Sequence, residues 1–71
     1  MRCVDYLFEV VGEESEICGE QFLVEVDCDF EEDPLAVAWD IACEYFEGEK
    51  LEMTLGPISP ALAETLGYDT Y

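Results

Sequence analysis

The stretch DCDFEEDPLAVAWDIACEYFE, residues 27–47, joins an acidic loop to a predicted amphipathic helix. Asp33 is a good N-cap residue and Pro34 suits the first helical position, so the helix is predicted to begin there and to end at Gly48. One stripe of this helix is apolar and is expected to face the core: Leu35, Ala38, Trp39, Ala42, Tyr45 and Phe46, flanked by Ile41 and Cys43. The opposite stripe is acidic and consists of Asp40, Glu44 and Glu47.

Two strands are predicted upstream of the helix, over residues 3–11 and 21–28, because apolar and polar residues alternate there. Residues 12–16 break the alternation and predict a hairpin loop, and Cys18-Gly19 is a suitable place for a β-bulge. The set expected to face inward is Val4, Tyr6, Phe8, Val10, Phe22, Val24, Val26 and Cys28. The set expected to face outward is Asp5, Leu7, Glu9, Leu23, Glu25 and Asp27.

A third strand is predicted over residues 50–55, where Gly56-Pro57 is expected to stop it, and a short helix between Ser59 and Gly67 follows. The predicted fold is a single α+β domain over residues 1–71 of order β-β-α-β-α. It has a small three-stranded antiparallel sheet with one main helix packed on one face. The apolar residues expected to pack inward in this part of the chain are Leu51, Met53, Leu55, Ile58, Leu62 and Leu66.

Net charge is the most unusual property of the chain, since 19 acids stand against two bases and give −17 at pH 7. Hydrophobic residues make up 51% of the chain, which is too many for a disordered protein, so a folded domain must withstand this self-repulsion. A compact chain of this length has a diameter of roughly 28 Å. Duplex DNA carries one negative charge per ~1.7 Å, so the predicted charge per unit length equals that of DNA.

Catalytic chemistry is poorly represented, because the chain has no His, one Lys and one Arg to act as general base or anion clamp. We therefore expect no catalytic residues and no cofactor. A calcium site is not expected either, since the EF-hand-like opening at Asp27 has Glu32 where Gly is needed and Ala38 where Glu is needed. Adventitious divalent binding, as in a metal buffer, remains an alternative use of the acids.

Four cysteines without a CxxC pair or a nearby His indicate neither a zinc site nor a redox motif. The N-terminus does not resemble a signal peptide, so we expect free, mostly buried thiols and a location in the cytoplasm of a bacterial host cell.

Any single acid is best interpreted as a solvated surface residue. Taken together, however, the acids of the predicted hairpin, loop and helix have no Lys or Arg among them to compensate their charge. The acids expected to bind a partner are Glu13, Glu14 and Glu16 of the hairpin, Asp27, Asp29, Glu31, Glu32 and Asp33 of the loop, and Asp40, Glu44 and Glu47 of the helix. Apolar residues expected to serve as partner anchors beside these acids are Leu7, Leu23, Val37, Tyr68 and Tyr71.

In size, charge and lack of catalytic residues, the chain resembles the small phage-encoded DNA mimics: anti-CRISPR proteins, anti-restriction proteins and inhibitors of uracil-DNA glycosylase. The resemblance implies a non-enzymatic inhibitor, with an anti-CRISPR role favoured, that occupies the basic nucleic-acid-binding channel of a CRISPR effector and blocks DNA binding. Inhibition of a restriction enzyme, another nuclease or a glycosylase is an alternative. The expected partner is a basic nucleic-acid-binding protein rather than nucleic acid or a membrane, and the protein is expected to be a monomer or small homo-oligomer. A generic interaction module with apolar contacts, in which acidity serves solubility or life in high salt, is the main rival.

Overall fold

A computed structural model describes residues 3–29 and 32–71 of the chain, and a three-stranded sheet is its centre. Its elements are β1 (Cys3–Val10), β2 (Gln21–Asp27), α1 (Pro34–Tyr45), β3 (Leu51–Ile58) and α2 (Pro60–Leu66). The sheet has the strand order β2-β1-β3, and β1 pairs antiparallel with both neighbours. The predicted α+β class and the order β-β-α-β-α are thereby confirmed. No helix in the described residues is long and apolar enough to cross a membrane.

The face of the sheet covered by α1, called here the α1 face, carries the larger core. Ala38 and Ala42 are fully buried, and their small side chains let the helix lie close to the sheet. The Phe8 ring stacks on Phe22 at 5.6 Å and meets Trp39 edge-on at 4.8 Å. The buried residues of this core are those that alternation and helical periodicity predicted: Tyr6, Phe8, Val10, Phe22, Val24, Val26, Ala38 and Ala42.

Three assignments around α1 were wrong. Tyr45 was predicted to pack in the core, yet it is the last residue of α1 and is 62% exposed. Phe46, the C-cap residue, does pack against the core as predicted, and it stacks on Phe22 at 4.0 Å. Val37 was predicted to be an outward anchor, but it is half-buried and packs against the core, whereas Cys43 lies exposed on the outer side of the helix.

The opposite face of the sheet, called here the α2 face, is also covered, so the prediction that Leu7 and Leu23 face solvent was wrong. Both are buried, and they form a second core with Ile58 and with Ala63 of α2. Residues distant in sequence close this face, which is why strand alternation alone gave the opposite result. Leu62 and Leu66, expected to dock there, instead flank Ala63 and remain 45% and 37% exposed.

Strand β3 does not stop at Gly56-Pro57 as predicted but continues to Ile58. Its register against β1 shifts twice, between Phe8 and Leu7 and again between Leu7 and Asp5. Each shift places an extra β3 residue opposite β1, as β-bulges do, and the bulges turn Ile58 toward the α2 face. Leu55, predicted to face inward, is 43% exposed as a result.

A bulge in the hairpin follows the prediction at Cys18-Gly19. The Gly19 amide donates to the Val10 carbonyl, whereas the Val10 amide donates to Glu20, so two residues oppose one. Gly19 has a φ of +95°, a left-handed value that suits glycine. The bulge restores the register in which Glu9 pairs with Gln21.

The C-terminal tail lies beside the outer edge of β2. A parallel bridge joins Leu23 to Thr70, and the Leu23 amide donates to the Asp69 carbonyl at 2.7 Å. Tyr71 accepts from the Glu25 amide at 3.1 Å and donates its own amide to Leu23 at 2.8 Å. The tail therefore forms backbone hydrogen bonds with an edge strand that would otherwise be open to water or to another chain.

Candidate functional site

Among the described residues, the predicted partner-binding acids lie at the two ends of the sheet and along one helix. The hairpin joining β1 to β2 is at one end, called here the hairpin end, and the loop before α1 is at the other, called the loop end. A seven-residue strand such as β2 spans about 23 Å, so the two groups of acids are separated by roughly that distance. Helix α1 starts at the loop end and brings the chain back to the hairpin end, where β3 begins beside Val10.

The helix stripe connects these two ends. Asp40 and Glu44 are exposed on α1, one turn apart, as the helical spacing predicted. Glu47 is also exposed, but α1 ends at Tyr45, so this residue lies in the turn after the helix rather than on it. The last turn of α1 contains no basic residue, so nothing there offsets the negative end of the helix dipole.

An open groove of about 580 Å³ lies at the hairpin end. Glu13 and Glu14 of the hairpin line one side, and Glu49 with Lys50 lines the other. The Val11 amide donates to the Lys50 carbonyl at 2.9 Å and holds the two sides together. Glu49 was missed as a site residue, because its proximity to Glu13 depends on the pairing of β1 with β3. The third hairpin acid, Glu16, is exposed but does not line the groove.

At the loop end, two of the predicted acids have local structural roles. Asp27 is half-buried, and its Oδ1 accepts a hydrogen bond from the Asp29 amide at 2.9 Å. Asp33 Oδ1 accepts from the Ala36 amide at 3.3 Å and caps α1 as predicted. Asp29, Glu32 and Asp33 are exposed, whereas Glu31 lies outside the described residues. The loop acids thus combine an exposed charged surface with the geometry that starts the helix.

Asp5 is an acid that sequence reasoning placed on the surface and that the fold buries. It is only 2% exposed, and its Oδ1 has no hydrogen-bond partner. Burial raises the pKa of this carboxyl above its ordinary value, and repulsion from Glu25, which sits opposite on β2, raises it further. Leu7 and Leu23 share this strand face, and their cover depends on Ile58 and α2, which are distant in sequence.

The four thiols differ in their exposure. All four cysteines are free, as expected, but Cys18 and Cys43 are exposed, contrary to the prediction that the thiols are mostly buried. Burial raises the pKa of Cys3, and the charges of Glu25 and Asp27 raise it as well, which disfavours the nucleophilic thiolate. Within the ranges 3–29 and 32–71, no group of three or more potential ligands is arranged to hold a metal ion.

The molecule is elongated, so its net charge per unit length is lower than that expected for a sphere. Its principal extents are 39 × 25 × 15 Å, longer than the predicted diameter. Seventeen net charges over 39 Å give one charge per about 2.3 Å, against one per ~1.7 Å for duplex DNA. The domain therefore has about three quarters of the linear charge density of duplex DNA.

Comparison of the chain with protein-family models, with curated proteins and with solved structures finds no match. The resemblance to DNA mimics therefore rests on size, charge and composition. Function has to be inferred from what the acidic surface is able to bind.

Proposed function

We propose that this protein is a non-enzymatic mimic of DNA that occupies the basic nucleic-acid-binding channel of a bacterial CRISPR effector and blocks its binding to DNA. The observation that carries the proposal is the exposure of Glu13, Glu14 and Glu16 in the hairpin and of Asp40, Glu44 and Glu47 on and just after α1. The chain has only two bases, and Lys50 forms no ion pair with another described residue. The field of these carboxylates is therefore directed into solvent and is available to a partner.

The acids on and after α1 are electrostatically unfavourable in the unbound protein. Asp40 and Glu44 are like charges one helical turn apart, an arrangement that destabilises a helix by about 0.2–0.5 kcal/mol. Glu44 and Glu47 also lie near the negative end of α1, where acids are unfavourable. Contact with Lys and Arg side chains of a channel would relieve both effects and release the counterions that the channel otherwise binds.

Dimensions support the same proposal. The ~23 Å between the hairpin end and the loop end corresponds to about seven base pairs of duplex at ~3.4 Å each. The acidic surface therefore corresponds in length to less than one turn of duplex and would occupy part of a longer channel. A CRISPR effector is favoured as partner because its positively charged channel accommodates about 20 base pairs of heteroduplex and is broad enough for the whole domain. Inhibition of a restriction enzyme or a glycosylase is the alternative within the same mechanism.

A generic interaction module with apolar contacts is less well supported. Leu7 and Leu23, which would have served as its anchors, are buried. Exposed apolar side chains on the α2 side, Leu55, Leu62 and Leu66, are the observation that still favours it. Binding through these residues would be almost insensitive to salt, whereas binding through carboxylates weakens as salt is raised.

The test is inhibition of DNA binding by a purified CRISPR effector, measured by gel mobility shift, with a restriction nuclease in parallel. The variant Asp40→Lys/Glu44→Lys/Glu47→Lys should lose inhibition, because it reverses the helix stripe. A matched control, Glu25→Lys/Glu52→Lys/Glu64→Lys, makes the same change in net charge at exposed positions elsewhere. Equal inhibition by both variants would contradict the assignment of the stripe, and no inhibition of either enzyme by the wild-type protein would contradict the proposal.

A further inference from the structure

Tyr45 and Tyr71 form an exposed aromatic pair at the hairpin end of α1. Their ring centroids are 5.0 Å apart with planes tilted by 44°, and the side chains are 62% and 40% exposed. Large aromatic side chains are usually withdrawn from water, so two in contact on the surface of a small domain form an available binding surface.

The pair is held in place from behind. The Tyr71 ring meets Phe22 edge-on at 5.7 Å and Phe46 edge-on at 5.4 Å, and these two rings stack on each other. The Tyr71 backbone is fixed by its hydrogen bonds to Leu23 and Glu25 on β2. A ligand that stacks on this surface would therefore order few additional side chains, which reduces the entropy lost on binding.

The electrostatic surroundings of the pair determine which ligand fits. Exposed Glu44 precedes Tyr45, exposed Glu47 follows two residues later, and the negative end of the α1 dipole lies here. Aromatic faces attract cations as well. Nucleobases would stack equally well on tyrosine, but their phosphates would be repelled by a chain of net charge −17, and so would a second copy of the protein.

We propose that Tyr45 and Tyr71 form an arginine-binding platform for the basic partner. A guanidinium group stacks on the tyrosine rings and offers its N–H groups to the carboxylates of Glu44 and Glu47. Lysine fits less well, because its ammonium group is strongly hydrated and has no plane with which to stack. This inference rests on the proposed function, since it needs a cationic partner, and it adds that the partner surface at this end is rich in arginine.

The test compares the binding of octa-arginine and octa-lysine peptides by isothermal titration calorimetry. The wild-type protein should bind octa-arginine about two- to fivefold more tightly for each ring engaged. Tyr45→Leu, which keeps an apolar side chain but loses the aromatic face, should reduce this preference, whereas Tyr45→Phe should retain it. Tyr45 is mostly solvent-exposed, so neither substitution disturbs the core.

Equal affinity of the wild-type protein for the two peptides would overturn the platform, and so would an unchanged arginine preference in Tyr45→Leu. Steep salt dependence of octa-lysine binding would then still support the acidic surface. An arginine preference that depends on Tyr45, in a protein that inhibits no nuclease, would support the platform and contradict the proposed function. Absence of binding to either peptide would overturn both.

Discussion

Replacing Asp5 by Asn should stabilise the protein at neutral pH, although most substitutions of buried residues destabilise a protein. The reason is that Asp5 is 2% exposed and its Oδ1 has no hydrogen-bond partner. A buried unsatisfied polar group costs about 1–3 kcal/mol, and a charged one costs more. Asparagine keeps the shape of the side chain and removes the charge, so we expect the free energy of unfolding at pH 7 to increase by at least about 1 kcal/mol.

The gain in stability from Asp5→Asn should also depend on pH. The pKa of Asp5 in the folded protein is raised above its ordinary value of 3.8 by burial and then by Glu25. The stability contribution of the protonated group is therefore complete below that ordinary value and is lost as pH rises through the folded-state pKa. Within this window one carboxyl changes the free energy of unfolding by at most about 1.4 kcal/mol per pH unit.

The assay is urea unfolding followed by the fluorescence of Trp39, the single tryptophan, which packs edge-on against Phe8. Asp40→Asn is the matched control, because it removes the same charge from an exposed position and reports the general relief of self-repulsion. Asp5→Asn should be more stable than this control at pH 7 and should lose that advantage near pH 3.8. An Asp5→Asn protein less stable than the control at pH 7, or an advantage independent of pH, would refute the reasoning.

Three further predictions concern stability and use the same unfolding assay. Gly56→Ala should lower the free energy of unfolding by about 1–3 kcal/mol, because φ is +147° and a Cβ would lie 2.6 Å from Tyr6. Gly48→Ala is the control, since φ is +84° there but no atom lies within 4 Å of a Cβ, and it should cost less. Equal losses in the two variants would contradict a role for the contact with Tyr6. Asp33→Ala should cost about 0.5–2 kcal/mol through loss of the α1 cap, and an unchanged urea midpoint would show that the hydrogen bond to Ala36 is unimportant. Glu44→Lys should stabilise by about 0.2–0.5 kcal/mol by removing repulsion from Asp40, an effect that should shrink as salt is raised and that a loss of stability would contradict.

The local features of this fold were predictable from sequence because neighbouring residues determine them. Asp33 and Pro34 begin α1 where the capping rules place its start. The Gly19 bulge likewise follows from a break in alternation at a residue that tolerates positive φ. Alternation also identified the core of the α1 face correctly, since every second residue of β1 and β2 packs there.

What the sequence could not predict depends on contacts between distant segments. Leu7 and Leu23 were assigned to solvent because strand alternation distinguishes two faces but does not reveal that α2 and Ile58 cover the second one. Asp5 was misplaced for the same reason. The shifted register of β3 against β1 is a property of the pairing and leaves no periodic signal in residues 50–58.

In the candidate site, too, features set by neighbouring residues were predictable and features set by distant contacts were not. Exposure of Asp40 and Glu44 followed from helical periodicity, since both lie opposite Ala38 and Ala42. The Tyr45–Tyr71 pair did not, because periodicity placed Tyr45 in the core and the tail gave no indication that it docks beside β2. The groove between Glu13 and Glu49 was missed because it forms only when β3 returns to β1.

The central claim is that the acidic surface replaces DNA, and elution of bound partners tests it most directly. The immobilised protein is loaded with a bacterial lysate at about 50 mM salt and eluted with short duplex DNA or with polyglutamate of equal total charge. A DNA mimic predicts that duplex DNA releases the retained nucleic-acid-binding proteins at concentrations where polyglutamate does not. Equal release by the two polyanions would show that the surface acts as a general ion exchanger and would contradict the account.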